Sequence, residues 1–210
     1  MKNNIFIFDF DGTIADTHHY IIHLSNRLAS EFGYNLIRDE EIESLKDKTT
    51  QEVIKHLRVP MLKIPMIVSR AKKEFKEDTS KLKPIRGIEN VLYQLHASGV
   101  KIGILSSNSL ENIKGFLSHH KIDIFDFIHS TSKVWSKNTS LKQLMEKHKL
   151  KKNDIIYIGD EIRDIVAAQK IGVAVAAVTW GYNSAKALVK YHPDYLLHTP
   201  RELLSLLRKK

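Results

Sequence analysis

The chain has 210 residues, 42% of them hydrophobic, with 33 Lys+Arg against 24 Asp+Glu and a formal net charge of +9. That length fits one domain, or a core domain with a smaller insert. The lack of cysteine excludes disulfides and thiolate metal sites, and no apolar run approaches the roughly 20 residues of a membrane span.

The N-terminus has no charged-then-apolar leader pattern, so the cytoplasm is the expected location and no membrane partner is expected. The basic residues are spread along the chain, as at Lys46, Lys48, Lys72, Lys73, Lys151 and Lys152, and only Arg208-Lys209-Lys210 cluster. A dispersed basic surface suits small phosphorylated substrates better than a nucleic-acid site.

In chain order, Ile5-Phe6-Ile7-Phe8 reads as a buried strand of a parallel sheet. The pattern then breaks into Asp9-Phe10-Asp11-Gly12-Thr13-Ile14-Ala15-Asp16. In extended backbone Asp9 and Asp11 point the same way, because the side-chain period is two. Two carboxylates at the end of a buried strand repel each other and resist desolvation, and a bound divalent cation is the simplest remedy. Ligands of open α/β sheets sit just outside such strand ends.

From Asp16 to about Lys81 the pattern is helical. Ile21, Leu24, Leu28 and Phe32 recur at spacings of three and four, with Gly33 as the stop. Asp39-Glu40-Glu41 favours another helix start, and Thr49-Thr50-Gln51-Glu52 reads as a capping box. Ile67, Ala71 and Phe75 carry a further helix beyond Pro65. No strand is expected here, so residues 16–81 read as an all-helical insert. His19 and His23 have zinc-ligand spacing, but with no third ligand nearby they read as solvated histidines.

Ile88 to Ala97 then forms a helix, and Val100 to Leu105 a strand running into Ser106-Ser107-Asn108-Ser109. A hydroxyl there can donate to a phosphate oxygen, and Ser109 can cap the next helix. Phe125 to His129 is a short strand. The polar segment 130–140 holds Lys133 and Lys137 and leads to a helix expected to start near Ser140. Ile155-Ile156-Tyr157-Ile158 is another buried strand, ending in Gly159-Asp160-Glu161-Ile162-Arg163-Asp164. A helix stopped by Gly172, a strand over Val173 to Val178, the loop Trp180-Gly181-Tyr182-Asn183, an edge strand over Asp194 to Leu197 and a last helix from Thr199 complete the chain. Alternating strands and helices predict an α/β fold: a Rossmann-like, doubly wound parallel sheet with an all-helical cap subdomain. The expected boundaries are 1–15 and 82–210 for the core and 16–81 for the cap.

The string Asp-Phe-Asp-Gly-Thr-Ile-Ala-Asp resembles the first motif of the haloacid dehalogenase superfamily, in its phosphatase branch. Ser106 stands where that superfamily has its second motif, Lys137 where it has its basic third, and Gly159-Asp160 with Asp164 where it has its acidic fourth. Lys137 lies 23 residues before Asp160 (160 − 137), similar to the spacing in relatives. Across essentially the whole chain the resemblance is to phosphoglycolate-phosphatase-like hydrolases. Two departures are that Asn138 follows Lys137 in place of proline, and that the second motif reads Ser106-Ser107-Asn108 rather than Thr-Asn.

The resemblance implies a Mg²⁺-dependent phosphatase acting on a small phosphate monoester through an aspartyl-phosphate. Asp9 is then the nucleophile and Asp11 the general acid and base. Mg²⁺ is held by Asp9, the Asp11 backbone carbonyl and Asp160, supported by Asp164 and Glu161. Ser106 and Lys137 bind phosphoryl oxygens, with Thr13 and Ser107 as further substrate contacts. The cap closes over the substrate, and the protein is a monomer or homodimer. A dehalogenase has no use for the acid Asp11. A sugar phosphomutase tends to carry a cap arginine that Leu45-Lys46-Asp47-Lys48 lacks. A non-catalytic phosphate-binding module is the alternative from another class.

Overall fold

The computed structural model describes residues 5–131 and 137–207. From the N-terminus come β1 (Ile5–Phe8) and β2 (Ala15–Asp16), then α1 (His18–Phe32), α2 (Ile42–Leu45), α3 (Thr50–His56) and α4 (Ile64–Asp78). After β3 (Lys83–Pro84) the chain alternates through α5 (Ile88–Ala97), β4 (Lys101–Ser106), α6 (Leu110–His119), β5 (Phe127–Ser130), α7 (Lys137–His148), β6 (Ile155–Gly159), α8 (Ile162–Ile171), β7 (Ala174–Val178), α9 (Ala185–Val189) and β8 (Tyr195–Leu197).

Six strands form one parallel sheet in the order β5-β4-β1-β6-β7-β8. The central place of β1 follows from its sequence, since an unbroken apolar run can be satisfied only where both faces are covered. Phe6 and Phe8 point to one face and join Leu92, Leu95 and Phe116 from α5 and α6. Ile5 and Ile7 point to the other and join Leu141, Leu144, Ile165 and Ala168 from α7 and α8. Full burial of each such side chain contributes roughly 1.5–3 kcal/mol before conformational entropy is charged against it. The same alternation sends Asp9 toward the face of α7 and α8, whereas Phe10 turns into the opposite cluster.

The helices α1 to α4 leave and rejoin the sheet through an antiparallel ribbon not expected from sequence, in which Ala15 pairs with Pro84 and Asp16 with Lys83. Two residues per strand are too few to show a period of two, so tertiary pairing alone makes this ribbon. Leu24, Leu28 and Phe32 pack as anticipated, with Ile67 and Ala71 of α4 against them. Gly33 closes α1 at φ 74°. The capping box at α3 is present: Thr49 N–H donates to Glu52 Oε2 at 2.7 Å and Glu52 N–H to Thr49 Oγ1 at 3.3 Å.

Two boundaries differ from expectation. α7 starts at Lys137 rather than near Ser140. Ser140 is buried and its hydroxyl donates to Thr131 Oγ1 at 2.9 Å, so it is a packed helix residue rather than a cap. The last segment is a 3-10 run over Pro200–Leu206, which puts the buried Leu203 and Leu206 on one face with a period of three.

Candidate active site

The carboxyl ends of β1, β4 and β6 meet in one place. Asp9 extends the parallel pairing, its N–H donating to the Ile158 carbonyl at 2.8 Å, and its Oδ1 accepts from Phe10 N–H at 2.7 Å. The Lys137 ammonium is ion-paired with both Asp9 and Asp164. All three side chains are buried. Lys142, one turn further along α7, is exposed, and Lys133 lies outside the described residues.

Asp160 ends β6 and is fully buried. Its Oδ1 accepts from the Thr13 hydroxyl at 2.6 Å and its Oδ2 from Tyr182 N–H at 2.7 Å. Thr13, expected among the substrate contacts, is itself fully buried, and its hydroxyl is engaged by Asp160. Gly12, at φ +75°, and Gly181 both give the Asp160 carboxylate room: a Cβ on either would lie 2.3 and 2.2 Å, respectively, from Asp160 Oδ2.

Carboxylate oxygens of Asp9, Asp160 and Asp164 lie within 4.8 Å of one another. The Asp11 carboxylate stands outside that group and receives both oxygens' contacts from Asn108 Nδ2, at 3.3 and 3.2 Å. Glu161 Oε2 accepts from the Thr50 hydroxyl at 3.0 Å and its Oε1 pairs with Arg163. Ser106 Oγ is fully buried and accepts from Asn108 N–H at 3.0 Å, shaping the turn after β4.

The electrostatics follow from crowding. Burial, then repulsion from Asp9, raises the Asp11 carboxyl to about 7. Burial, then Glu161, Asp164 and Asp9, holds Asp160 far above the usual carboxylate range. Burial works against the Lys137 charge, but Asp164 and Asp9 outweigh it and raise the ammonium above its ordinary value. Five carboxylates, those of Asp9, Asp11, Asp160, Glu161 and Asp164, therefore face two cations, Lys137 and Arg163. Three converging buried carboxylate oxygens with surplus negative charge are the donor set of a hard divalent cation, and these residues fit one.

Above Asp11 opens a cavity of about 410 Å³. Ser107, Asn108, Arg163 and Tyr182 line it from the sheet side, and His18, Lys46 and Lys72 from α1 to α4 and their loops. His19 and His23 are exposed. Asn108 and Asn183 were not picked out from sequence. Each sits inside a quoted string, but its partners are distant in the chain. Asn183 Nδ2 donates to the carbonyls of Lys46 and Lys48 at 2.8 and 2.9 Å, and its Oδ1 accepts from Ile162 N–H at 2.8 Å.

A family model described as "Haloacid dehalogenase-like hydrolase" matches residues 6–178. The chain belongs to this family. It is 32% identical over 199 residues to a phosphoglycolate phosphatase of Synechococcus elongatus, covering 94% of each chain. It is 24% identical over 213 residues to the pyrophosphatase PpaX of Bacillus mycoides, covering 100% of this chain and 99% of that one. A haloacid dehalogenase-like family hydrolase from Streptococcus pneumoniae shares the fold at a TM-score of 0.81 and 23% identity, with 98% of each chain covered. This haloacid dehalogenase-like hydrolase is a phosphatase, a phosphoric monoester hydrolase.

Proposed function

We propose that this hydrolase is a Mg²⁺-dependent phosphatase that cleaves small phosphate monoesters through an aspartyl-phosphate on Asp9, with phosphoglycolate-like or sugar-phosphate esters as the substrate class. The observation that carries the reading is the pairing of roles at one strand end. Asp9 is held in the charged cluster beside Lys137, and Asp11, two residues on, is tilted toward Asn108 and the cavity with its carboxyl near neutrality.

The chain's own groups then divide the chemistry. An Asp9 oxygen attacks phosphorus while the bond to the leaving oxygen breaks, and Asp11 gives that oxygen its proton. In the second half Asp11 takes a proton from water, the resulting hydroxide attacks phosphorus, and the Asp9 carboxylate is released. A carboxyl near pH 7 can serve both directions without a large driving-force penalty. Lys137 neutralises the entering phosphoryl charge, and Ser106, at the end of β4, offers its hydroxyl as a donor to a phosphoryl oxygen. Asp9 and Asp160, with the Asp11 carbonyl and Asp164 in support, would hold a Mg²⁺ ion, which when bound would supply Lewis-acid neutralisation of phosphoryl oxygens.

The helices between β2 and β3, within residues 16–81, act as the cap over this site. Their contribution of His18, Lys46 and Lys72 to the cavity supports that role. A cap that excludes water and recognises the leaving group explains why the apolar remainder of the cavity belongs to the helices. Pyrophosphate stays within the same chemistry, with phosphate as the leaving group, and the name of one relative supports its inclusion in a screen.

Phosphate release from a panel of phosphoglycolate, sugar phosphates, nucleoside monophosphates and pyrophosphate with Mg²⁺ tests the substrate class. Asp9→Asn tests the mechanism: the amide is nearly isosteric but forms no acyl phosphate, so turnover should vanish with the melting profile intact. Turnover near wild type would overturn the assignment of Asp9.

A further inference from the structure

Asn112 is a buried amide that the chemistry above does not use. It sits in the first turn of α6, 2% exposed, with its N–H on the Ser109 cap at 3.1 Å. Its Nδ2 donates twice: to the Lys72 carbonyl of α4 at 3.0 Å and to Asn108 Oδ1 at 2.9 Å. Asn108 Oδ1 also accepts from Ser109 N–H at 2.8 Å.

These contacts fix both amide orientations. Asn108 Oδ1 faces two donors, so its NH₂ has to face Asp11, where it reaches both carboxylate oxygens. Asn112 faces two oxygen acceptors, so a flip would set its own carbonyl against both of them. One continuous line thus runs from the backbone of α4, through Asn112 and Asn108, to Asp11. Only the first link crosses between the inserted helices and the sheet domain.

We propose that Asn112 is a positioning residue that holds Asn108, and through it the Asp11 carboxyl, in the orientation for proton transfer when α4 is docked on the sheet domain. The proposal rests on the reading of Asp11 as acid and base and of α1 to α4 as a cap. With α4 docked, both Asn112 amide hydrogens are engaged and the Asn108 side chain is held on both sides. With α4 withdrawn, Asn112 loses the Lys72 carbonyl, one of the two acceptors that fix its amide, and can turn away from Asn108, whose Oδ1 then keeps the Ser109 N–H alone. Proton transfer to the leaving group is thereby tied to closure, so hydrolysis of the ester is favoured only after the substrate is enclosed.

The test uses two substrates with the full chain and Mg²⁺: 2-phosphoglycolate, whose alkoxide leaving group needs a proton, and 4-nitrophenyl phosphate, whose phenolate does not. Followed in a single turnover as release of glycolate or 4-nitrophenolate, the first half-reaction should slow in Asn112→Ala by on the order of 10–10² for glycolate and stay within a factor of about 3 for 4-nitrophenolate, while hydrolysis of the shared aspartyl-phosphate slows equally for both. Asn112→Asp keeps the size and suits the first turn of a helix, yet has no donors. It should slow the first half-reaction in the same leaving-group-dependent way, which separates positioning from folding. The double variant Asn108→Ala/Asn112→Ala should be no slower than Asn108→Ala alone. With Mg²⁺ and inorganic phosphate present, amide exchange over residues 64–78 should quicken in Asn112→Ala and stay unchanged in Asn108→Ala. Equal losses in the release of the two leaving groups, additive losses in the double variant, or unchanged exchange in α4 would each overturn the proposal. Asp11→Ala serves as the reference. If it shows no leaving-group dependence, the acid-base reading itself is wrong; if it does and Asn112→Ala does not, only the positioning role falls.

Discussion

The ammonium of Lys137 lies against the carboxylate of Asp9, 128 residues away in sequence, with 5% and 3% of the two side chains exposed. A buried lysine is tolerable only when paired, and here the pairing comes with Asp164 on its other side. The ion pair sits in the first described turn of α7.

Lys137→Ala should therefore do two things. It should lower turnover by on the order of 10²–10³, the cost of removing one preorganised charge from such a site. It should also weaken the protein, because Asp9 and Asp164 lose their counter-charge in a buried place. Lys142→Ala, on the exposed face of α7, should leave both turnover and melting temperature near wild type. Kinetics and thermal melts of the two variants check this, and a crippled Lys142→Ala would refute the assignment.

Much of this site was legible because its carriers are local. An apolar run followed by Asp9 and Asp11 declares a strand end, and Ile155 to Gly159 followed by Asp160 declares another. Lys137 carries the third-motif role by its resemblance in spacing to Asp160, and its ammonium stands against Asp9. What could not be read is long-range. Asn108 meets Asp11 across 97 residues, and Asn183 meets Lys46 across 137, so each looked like an ordinary turn residue. The ribbon of β2 and β3 is two residues deep and has no periodicity to detect. The resemblance implies Thr13 as a substrate contact, and the hydroxyl's bond to Asp160, 147 residues away, is again a long-range contact that no local pattern carries.

The metal prediction follows from the surplus of negative charge. Activity should be lost in EDTA and return with Mg²⁺. Asp160→Ala should raise the Mg²⁺ concentration needed for half-maximal rate by at least tenfold, since a ligand worth even about 1.4 kcal/mol changes an affinity tenfold. Titration of activity with Mg²⁺ measures it. Full turnover in metal-free buffer would contradict the charge argument.

The same crowding sets a pH dependence. Asp11 titrates near 4 in the unfolded chain and about 7 in the folded one, so between those values the folded state binds more protons. Unfolding free energy then falls as pH rises through this window: the contribution is full below the lower value and lost above the upper. His18 and His129, whose pKa values burial lowers below the ordinary histidine range, act in the opposite sense. Comparison with Asp11→Asn, which never ionises, removes their contribution. In EDTA the asparagine variant should gain stability over wild type steadily from pH 5 to pH 8, and Mg²⁺ should narrow the gap. A difference in melting temperature that stays constant with pH would count against the raised carboxyl.

Asn183, like Asn112, ties the inserted segment to the sheet domain by its side-chain amide. Its amide bridges two carbonyls of the loop after α2, at Lys46 and Lys48, while its oxygen is fixed by the first N–H of α8, next to Asp160 and Glu161. Ser184 N–H adds a third contact to the Lys46 carbonyl at 3.0 Å, and Thr50 reaches Glu161. This loop therefore closes on the acidic end of β6 by backbone recognition, which is indifferent to the lysine side chains themselves. Asn183→Ala deletes two hydrogen bonds of about 1 kcal/mol each, enough to shift a closing equilibrium by roughly 30-fold. Because closure follows binding, the loss should appear chiefly as a raised KM, with kcat falling less. Amide exchange over residues 46–50 should quicken in the presence of phosphate and Mg²⁺. Asn183→Asp sets a carboxylate against two carbonyls and should be worse than alanine on both measures, though it keeps the contact to Ile162. Lys46→Ala, which removes a side chain but no carbonyl, should leave the exchange of the loop unchanged. If Asn183→Ala leaves KM and exchange at wild-type values, the loop is held by something other than this amide.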